Sequence, residues 1–368
     1  MPTVAELLHA LDSIAPPHLA LPNDAIGLQV GSEKDKVERC LVALDPSLDA
    51  IEYAVSKKFD ALITHHAPIY IPLANVAGDS PNVRVVREAI RHNIALLCAH
   101  TNWDAAPGGT NDTLASCFHL KNVRPFGKDI PTKAYKLFTF LPEESLDKLL
   151  DALAEIGCGE IGAYRRCAFY HPGSGTFEPQ PGAQPFIGSL GGREVVPEVR
   201  VEILVPGHLK EEAIKTLLSV HPYEEPAYDL YEVANVERKS LPRMGELTQA
   251  CSLAEFCARV ENTLETKTKL YGDLTKSVRT IGIVGGAGGS YWNSAIEAGC
   301  EVLLTGEVKH HEALYAQAGG LSVIEAGHYA TEQPAMRSLC KRLRETLPEV
   351  NFELFEPKMG TAGRPYYL

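Results

Sequence analysis

The chain has 368 residues, with 35 Lys and Arg against 47 Asp and Glu, a formal net charge of −12. That balance disfavours nonspecific nucleic-acid binding, and no stretch approaches the ~20 apolar residues of a membrane helix. Hydrophobic residues make up 45% and charged residues 22%, the composition of a globular protein of two or three domains.

Residues 3–12 space Val4, Leu7, Leu8 and Leu11 as one face of a helix. The run 38–45 reads as a buried strand ending in Asp45, 47–58 as a helix and 60–64 as the next strand. A helix at 81–92 and a strand at 94–99 follow. Strands alternating with helices predict an α/β layer with a mostly parallel sheet. The pattern changes after about residue 130. A strand at 135–142, an amphipathic helix at 143–156 and a strand at 162–170 lead into a Gly- and Pro-rich hairpin or loop at 172–197. A strand at 199–206, a helix at 210–220 and a strand at 227–233 complete a β-α-β-β-α-β order, a ferredoxin-like unit. From about 240 the α/β alternation returns, with strands at 278–286, 301–307 and 321–326 and helices at 290–298, 309–318 and 331–346.

The expected organisation is therefore α/β, with a core built from two halves, 1–130 and 237–368. A ferredoxin-like module, 131–236, is inserted between them.

The nine cysteines are scattered, odd in number and never form CxxC. They predict no disulfide framework and no zinc ribbon, but small buried apolar residues in a reducing compartment. The N-terminus has no basic region followed by an apolar run, so the expected location is the cytoplasm.

Three apolar strands run directly into polar side chains. LITHHAPIY at 62–70 delivers His65 and His66. LLCAHTNWDAAPGGTND at 96–112 delivers His100, Asn102 and Asp104. VIEAGHYATEQPAM at 323–336 delivers His328 and Glu332, four residues apart and so on one face of a helix. Open α/β sheets place their sites at the carboxyl ends of strands. Three imidazoles with two carboxylates are a poor set for Mg²⁺ or Ca²⁺ and suit Zn²⁺, Fe²⁺, Mn²⁺ or Co²⁺. Five ligands exceed the three or so of one open catalytic ion. Two ions about 3.5–4 Å apart, sharing a carboxylate, fit better and would ionise a water between them.

Other segments border this set. TGEVKHHEA at 305–313 carries Glu307, His310 and His311. Glu307 and His311 read as proton carriers or as partners behind the ligands, and His100, Asn102 and His310 as outer or substrate-facing groups. Asp24 and Asp45 are placed near the same rim. GIVGGAGGS at 282–290 is either a tight turn or a phosphate rest on the amides around Gly286 and Gly288. It lacks GxGxxG and GK[ST], so no dinucleotide or P-loop fingerprint is present, and a Rossmann oxidoreductase is disfavoured. HPYEEPAYDLY at 221–231 reads as a helix-to-strand turn or a subunit contact.

Taken together, DAIGLQVG at 24–31, ITHHAPIY at 63–70, HTNWDAAPGGTND at 100–112, VGGAGG at 284–289, TGEVKHHEA and EAGHYATE at 325–332 resemble a known family. It comprises the dinuclear-metal proteins named for an NGG-interacting factor, the GTP cyclohydrolase I type 2-like proteins. The resemblance implies that His65, His66, Asp104, His328 and Glu332 are the metal ligands. It also implies a toroidal homohexamer with metal sites facing an internal cavity, and a trimerising insert. Ala25 departs from the family's usual Asn after Asp24. The expected function is metal-dependent hydrolysis of a nucleotide or related heterocycle. The alternative is a metal-binding regulatory or scaffold protein that acts through partners without turnover.

Overall fold

The computed structural model describes residues 1–127, 130, 133–188, 190–234 and 240–357. The chain forms two compact units, Met1–Ile130 with Lys239–Leu368, and Pro131–Arg238. The expected boundaries at 131 and between 236 and 237 lie outside the described residues.

The first unit opens with α1 (Val4–Ile14), β1 (Gly27–Val30), β2 (Arg39–Ala43), α2 (Leu48–Ser56), β3 (Ala61–Thr64), α3 (Pro81–Arg91), β4 (Ala95–Cys98), α4 (Thr101–Ala105), α5 (Thr110–Cys117) and β5 (Lys121–Pro125). The second unit holds β6 (Ala134–Leu141), α6 (Leu146–Glu155), β7 (Ala168–Phe177), β8 (Glu194–Pro206), α7 (Lys210–Val220) and β9 (Tyr228–Glu232). The first unit resumes with β10 (Arg243–Ser252), α8 (Leu253–Leu264), β11 (Lys269–Tyr271), β12 (Ser277–Val284), α9 (Trp292–Glu297), β13 (Val302–Thr305), α10 (His310–Ala318), β14 (Ser322–Glu325), α11 (His328–Thr346) and β15 (Asn351–Leu354).

Two sheets organise the first unit, in the orders β1-β4-β3-β2-β15 and β11-β14-β13-β12-β10-β5. The centre of each is parallel, but β1, β11, β10 and β5 pair antiparallel, so the sheets are mixed rather than uniformly parallel. The two halves also exchange edges. β15 lies parallel to β2 in the first sheet, and β5 pairs with β10 in the second. Neither half is therefore a closed sheet by itself.

Strand alternation explains the layers. Cys40 and Val42 of β2 face α1 and α11 with Ile63 and Leu97, packing on Leu7, Leu11, Met336 and Leu339. Leu41 and Ala43 face the other way with Leu62 and Leu96, against Ile51, Val86 and Ala89 of α2 and α3. The second sheet is covered in the same manner, by α5 and α8 on one face and α9 and α10 on the other. Strands covered on both faces are continuously apolar, as the runs ALIT and VLLT show. The polar groups that follow each run are thereby pushed to the strand ends.

In the second unit the strand order is β7-β8-β6-β9, all antiparallel, with the apolar faces of α6 and α7 packed on it. The strand expected at 162–170 begins at Ala168 and runs on to Phe177. Much of the expected loop is thus a two-stranded ribbon, paired from Ala168–Ile203 to Phe177–Glu194. Gly175 permits this, since a Cβ there would stand 1.8 Å from Oε2 of Glu198. Among the described residues, no helix is long and apolar enough to cross a membrane.

Candidate metal centre

The carboxyl ends of β3 and β4 and the loops after β12, β13 and β14 converge on one cavity of about 370 Å³, lined by His66, His100, Asp104, His328 and Glu332 among others. His65 and His66 follow Thr64, the last residue of β3, where the backbone leaves the ladder. Both rings therefore turn to one side, with centroids 5.1 Å apart. His328 opens α11 directly after Gly327, whose φ of 90° suits glycine, and Glu332 stands one turn on.

The Nε2 atoms point inward. Nε2 of His65 lies 3.5 Å from Oδ1 of Asp104 and 3.7 Å from Oε1 of Glu332. Nε2 of His66 and of His328 lie 3.3 and 3.2 Å from Oε2 of Glu332, and 3.2 Å from each other. The Nδ1 atoms are held from behind. That of His65 donates to the Ala99 carbonyl at 2.9 Å, that of His66 to Asp45 at 2.7 Å, and that of His100 to Asp24 at 2.8 Å. Nδ1 of His328 lies 3.1 Å from Oε1 of Glu307. A proton kept on Nδ1 leaves the Nε2 lone pair for a central cation, and such partners also fix ring orientation.

Burial sharpens the arrangement. His65 is 1% exposed and Glu332 4%. Nε2 of His65, Oδ1 of Asp104 and Oε2 of Glu332 are buried without a hydrogen-bond partner. Orphaned buried polar atoms are rare in native proteins and call for an occupant. Burial would lower the pKa of His66, but Asp45 and Glu332 outweigh it and raise it to about 10. Burial raises Asp104, with Glu332 adding to the rise, while three histidines hold Glu332 well below the usual carboxylate range against its own burial. An excess of lone pairs around a buried point is the electrostatic signature of a cation site. Two overlapping groups, His65–His66–His100 and His66–His328–Glu332, each bring their ligating atoms within 4.8 Å of one another. The site has the nitrogen and oxygen donors that suit a transition-metal or zinc ion.

Residues 2–360 match the Duf34/NIF3 (NGG1p interacting factor 3) family. The chain belongs to this family. A Bacillus subtilis relative named GTP cyclohydrolase 1 type 2 homolog is 35% identical over 327 residues, 88% of each chain. A Halalkalibacterium halodurans relative of the same name is 33% identical over 341 residues, 92% of this chain and 91% of the other. The crystal structure of a Bacillus cereus protein related to NIF3 superposes with a TM-score of 0.88 at 32% identity, covering 99% of both chains. The Staphylococcus aureus protein SA1388 gives 0.77 at 27%, again over 99% of both chains.

Not every expected residue of this Duf34/NIF3 chain joins the cluster. His310 and His311 are exposed on the first turn of α10, and the His311 ring packs at 6.1 Å on Tyr315. Neither lines the cavity. Asn102 is buried, with its amide donated to the Ala15 carbonyl at 2.6 Å, so it anchors the end of α1 rather than facing a ligand. Glu307, expected as a proton carrier or an outer partner, stands behind His328.

The geometry of the glycine loop favours the tight-turn reading at Gly286 and Gly288. The amides of Gly285, Gly286 and Gly288 already donate to Asn111, Thr331 and Thr305, at 2.8, 3.1 and 3.0 Å. Those glycines are needed for close approach. A Cβ on Gly286 would stand 2.1 Å from Oε1 of Glu332, and one on Gly288 2.4 Å from Cβ of Val284.

Some contributors were not anticipated. Asn111 joins the carbonyl of Leu241 to the amide of Gly285, linking the segments beside β10 and β12, and its amide also reaches the Asp104 carbonyl at 3.3 Å. Tyr70, inside the ITHHAPIY motif, lies at the cavity mouth with its ring edge-on to His100, centroids 6.2 Å apart. Ala25 contributes backbone only, its carbonyl accepting from Gln29 and its amide donating to Asp24. The family's usual Asn is therefore dispensable for these contacts.

Proposed function

We propose that His65, His66, Asp104, His328 and Glu332 hold two divalent ions, drawn from Zn, Fe, Mn or Co, in a centre that hydrolyses a heterocyclic or nucleotide-type substrate. The observation that carries this is the facing pair of His66 and His328 nitrogens, with Glu332 oxygens serving both this pair and His65. One carboxylate reaching two groups of donors is the arrangement of a bridged pair of ions. His100, with Nδ1 fixed by Asp24, is the group left to face substrate or to exchange a proton. Ions of this kind supply Lewis acidity, polarising a substrate oxygen and lowering the pKa of a water to about 7. The relatives' name, GTP cyclohydrolase 1 type 2 homolog, supports a hydrolytic reading of the same site.

The chain's own groups would do the rest. Asp45, Asp24 and Glu307 keep the imidazoles in the Nε2-inward orientation. Leu21, Ala67, Val284 and Tyr291 line the cavity with apolar surface that limits water. The test is elemental analysis together with turnover of a panel of nucleotides, nucleosides and cyclic amides by the full chain. Two ions per chain and a metal-dependent product that Asp104→Ala removes are expected. Binding without turnover would move the protein to the regulatory class.

A further inference from the structure

The cavity over the cluster selects strongly by charge. No Lys or Arg lines it among the described residues. Four amides of the glycine loop are already engaged, since Gly285, Gly286, Gly288 and Gly289 donate to Asn111, Thr331, Thr305 and the Glu307 carbonyl. A chain of phosphates in this cavity would meet no Lys or Arg, but apolar walls, the acids, and the neutral polar groups of Thr101 and Asn111, and a buried charge without a countercharge is strongly disfavoured. At about 370 Å³ the space is at the low end of the ~300–1,000 Å³ of small-molecule sites.

One feature of the mouth is built for a flat ligand. Tyr70 is 65% exposed, yet its position is fixed. The neighbouring Ile69 packs into the core beside α2 and α3. The Ile69 amide donates to Oε1 of Gln29 at 2.7 Å, and Nε2 of Gln29 donates in turn to the Ala25 carbonyl at 2.9 Å. His100 supports the ring edge-on, and His100 is itself held by Asp24. A large ring on a backbone tied at Ile69, edge-on to His100 and open to the cavity, is a partly preformed stacking surface, so less ordering is left to pay on binding.

We infer that the substrate of this centre is an uncharged planar heterocycle stacked on Tyr70, and that a triphosphate takes no part in its recognition. The inference rests on the dinuclear reading for the chemistry but on Tyr70, Gln29, the engaged glycine amides and a lining without Lys or Arg for the specificity. The ring would stack on Tyr70 at the cavity mouth, beside His100. Its sugar or other substituent leaves past Tyr70 into solvent.

The experiment titrates guanosine, adenosine and cytidine, and separately their triphosphates, into the metal-loaded full chain and into the chelator-stripped chain, read by calorimetry. At least one nucleoside is expected to bind no more weakly than its triphosphate, with little dependence on salt. Tyr70→Ala should weaken it about ten-fold, within the range of base–aromatic stacking, while Tyr70→Phe preserves it and both variants keep the wild-type metal content. Failure of every nucleoside to bind overturns the inference. So does a triphosphate bound ten-fold more tightly with a steep salt dependence, or a Tyr70→Ala protein that binds as well as the wild type. If the chain holds two ions and still prefers triphosphates, only this inference falls. If it takes up no metal, the dinuclear reading falls, and the ring preference is judged on the stripped chain.

Discussion

The Nε2 atoms of His66 and His328, 262 residues apart in sequence, face each other at 3.2 Å across one oxygen of Glu332. Two imidazole lone pairs cannot meet at that distance without positive charge between them. Against its burial, the neighbouring Asp45 and Glu332 carboxylates accordingly raise the pKa of His66, and Glu332 raises that of His328. A metal ion bound as proposed would supply that positive charge, and Glu332 also reaches the His65 side, at 3.7 Å. Glu332→Gln keeps the volume and removes the charge. It is expected to take the metal content from two per chain to one or none, measured by elemental analysis after gel filtration. Wild-type metal content in this variant would contradict the bridging role.

Asp45 acts at one remove, through Nδ1 of His66. Partners of this kind are worth roughly 10–100-fold in metal affinity. Asp45→Asn should therefore weaken binding by about that factor while leaving the fold intact, as read by competition with a chelating dye and by circular dichroism. Glu307→Gln, whose carboxylate is more than half exposed, should show a smaller loss. Equal losses in the two variants would mean that burial of the carboxylate does not govern its influence.

The site was more legible in the sequence than the fold around it. Apolar runs such as ALIT, followed at once by His65, and SVIE, followed by His328 after Ala326 and Gly327, mark covered parallel strands and locate the functional edge without any tertiary information. The edge strands leave no such mark. β5 is exposed at all five residues, and β15 is only four residues long. Each is a strand because of the partner it meets, β10 or β2, and that pairing is long-range. The sequence pattern starts α11 at 331, three residues late. The helix instead begins at His328, with Pro334 in its second turn. Sequence set Glu332 and Asp104 apart from the other acids, but not which imidazole each of the others supports. Asp45 stands behind His66, Asp24 behind His100 and Glu307 behind His328, pairings set by side-chain direction at loops rather than by residue type.

The glycine loop offers a test of close approach. Gly286 has φ +62°, and a Cβ there would come within 2.1 Å of Oε1 of Glu332 and 3.0 Å of Nε2 of His328. Gly286→Ala must move Glu332 or the loop. The left-handed backbone alone costs about 1 kcal/mol or more. The expected result is a lower melting temperature and loss of at least one ion per chain. A loop that merely cradles phosphate would lose anion affinity and keep its metals, so metal analysis of this one variant separates the two readings.

Asp24 gives a pH dependence with a defined sign. Burial pushes its carboxyl up, but hydrogen bonds from His100 and from the hydroxyl and amide of Thr101 outweigh that and hold it at about 2, against 3.8 for a free Asp. A depressed acid stabilises the fold above its unfolded pKa, and that stability disappears as pH falls through the folded value. The shift corresponds to roughly 2 kcal/mol. Asp24→Asn should therefore be less stable than the wild type by about that amount at pH 6, as measured by urea unfolding. The gap should close between about pH 4 and pH 2, because protonated Asp and Asn then make equivalent contacts. A gap that stayed constant over this range would show that Asp24 acts through shape and not through its charge.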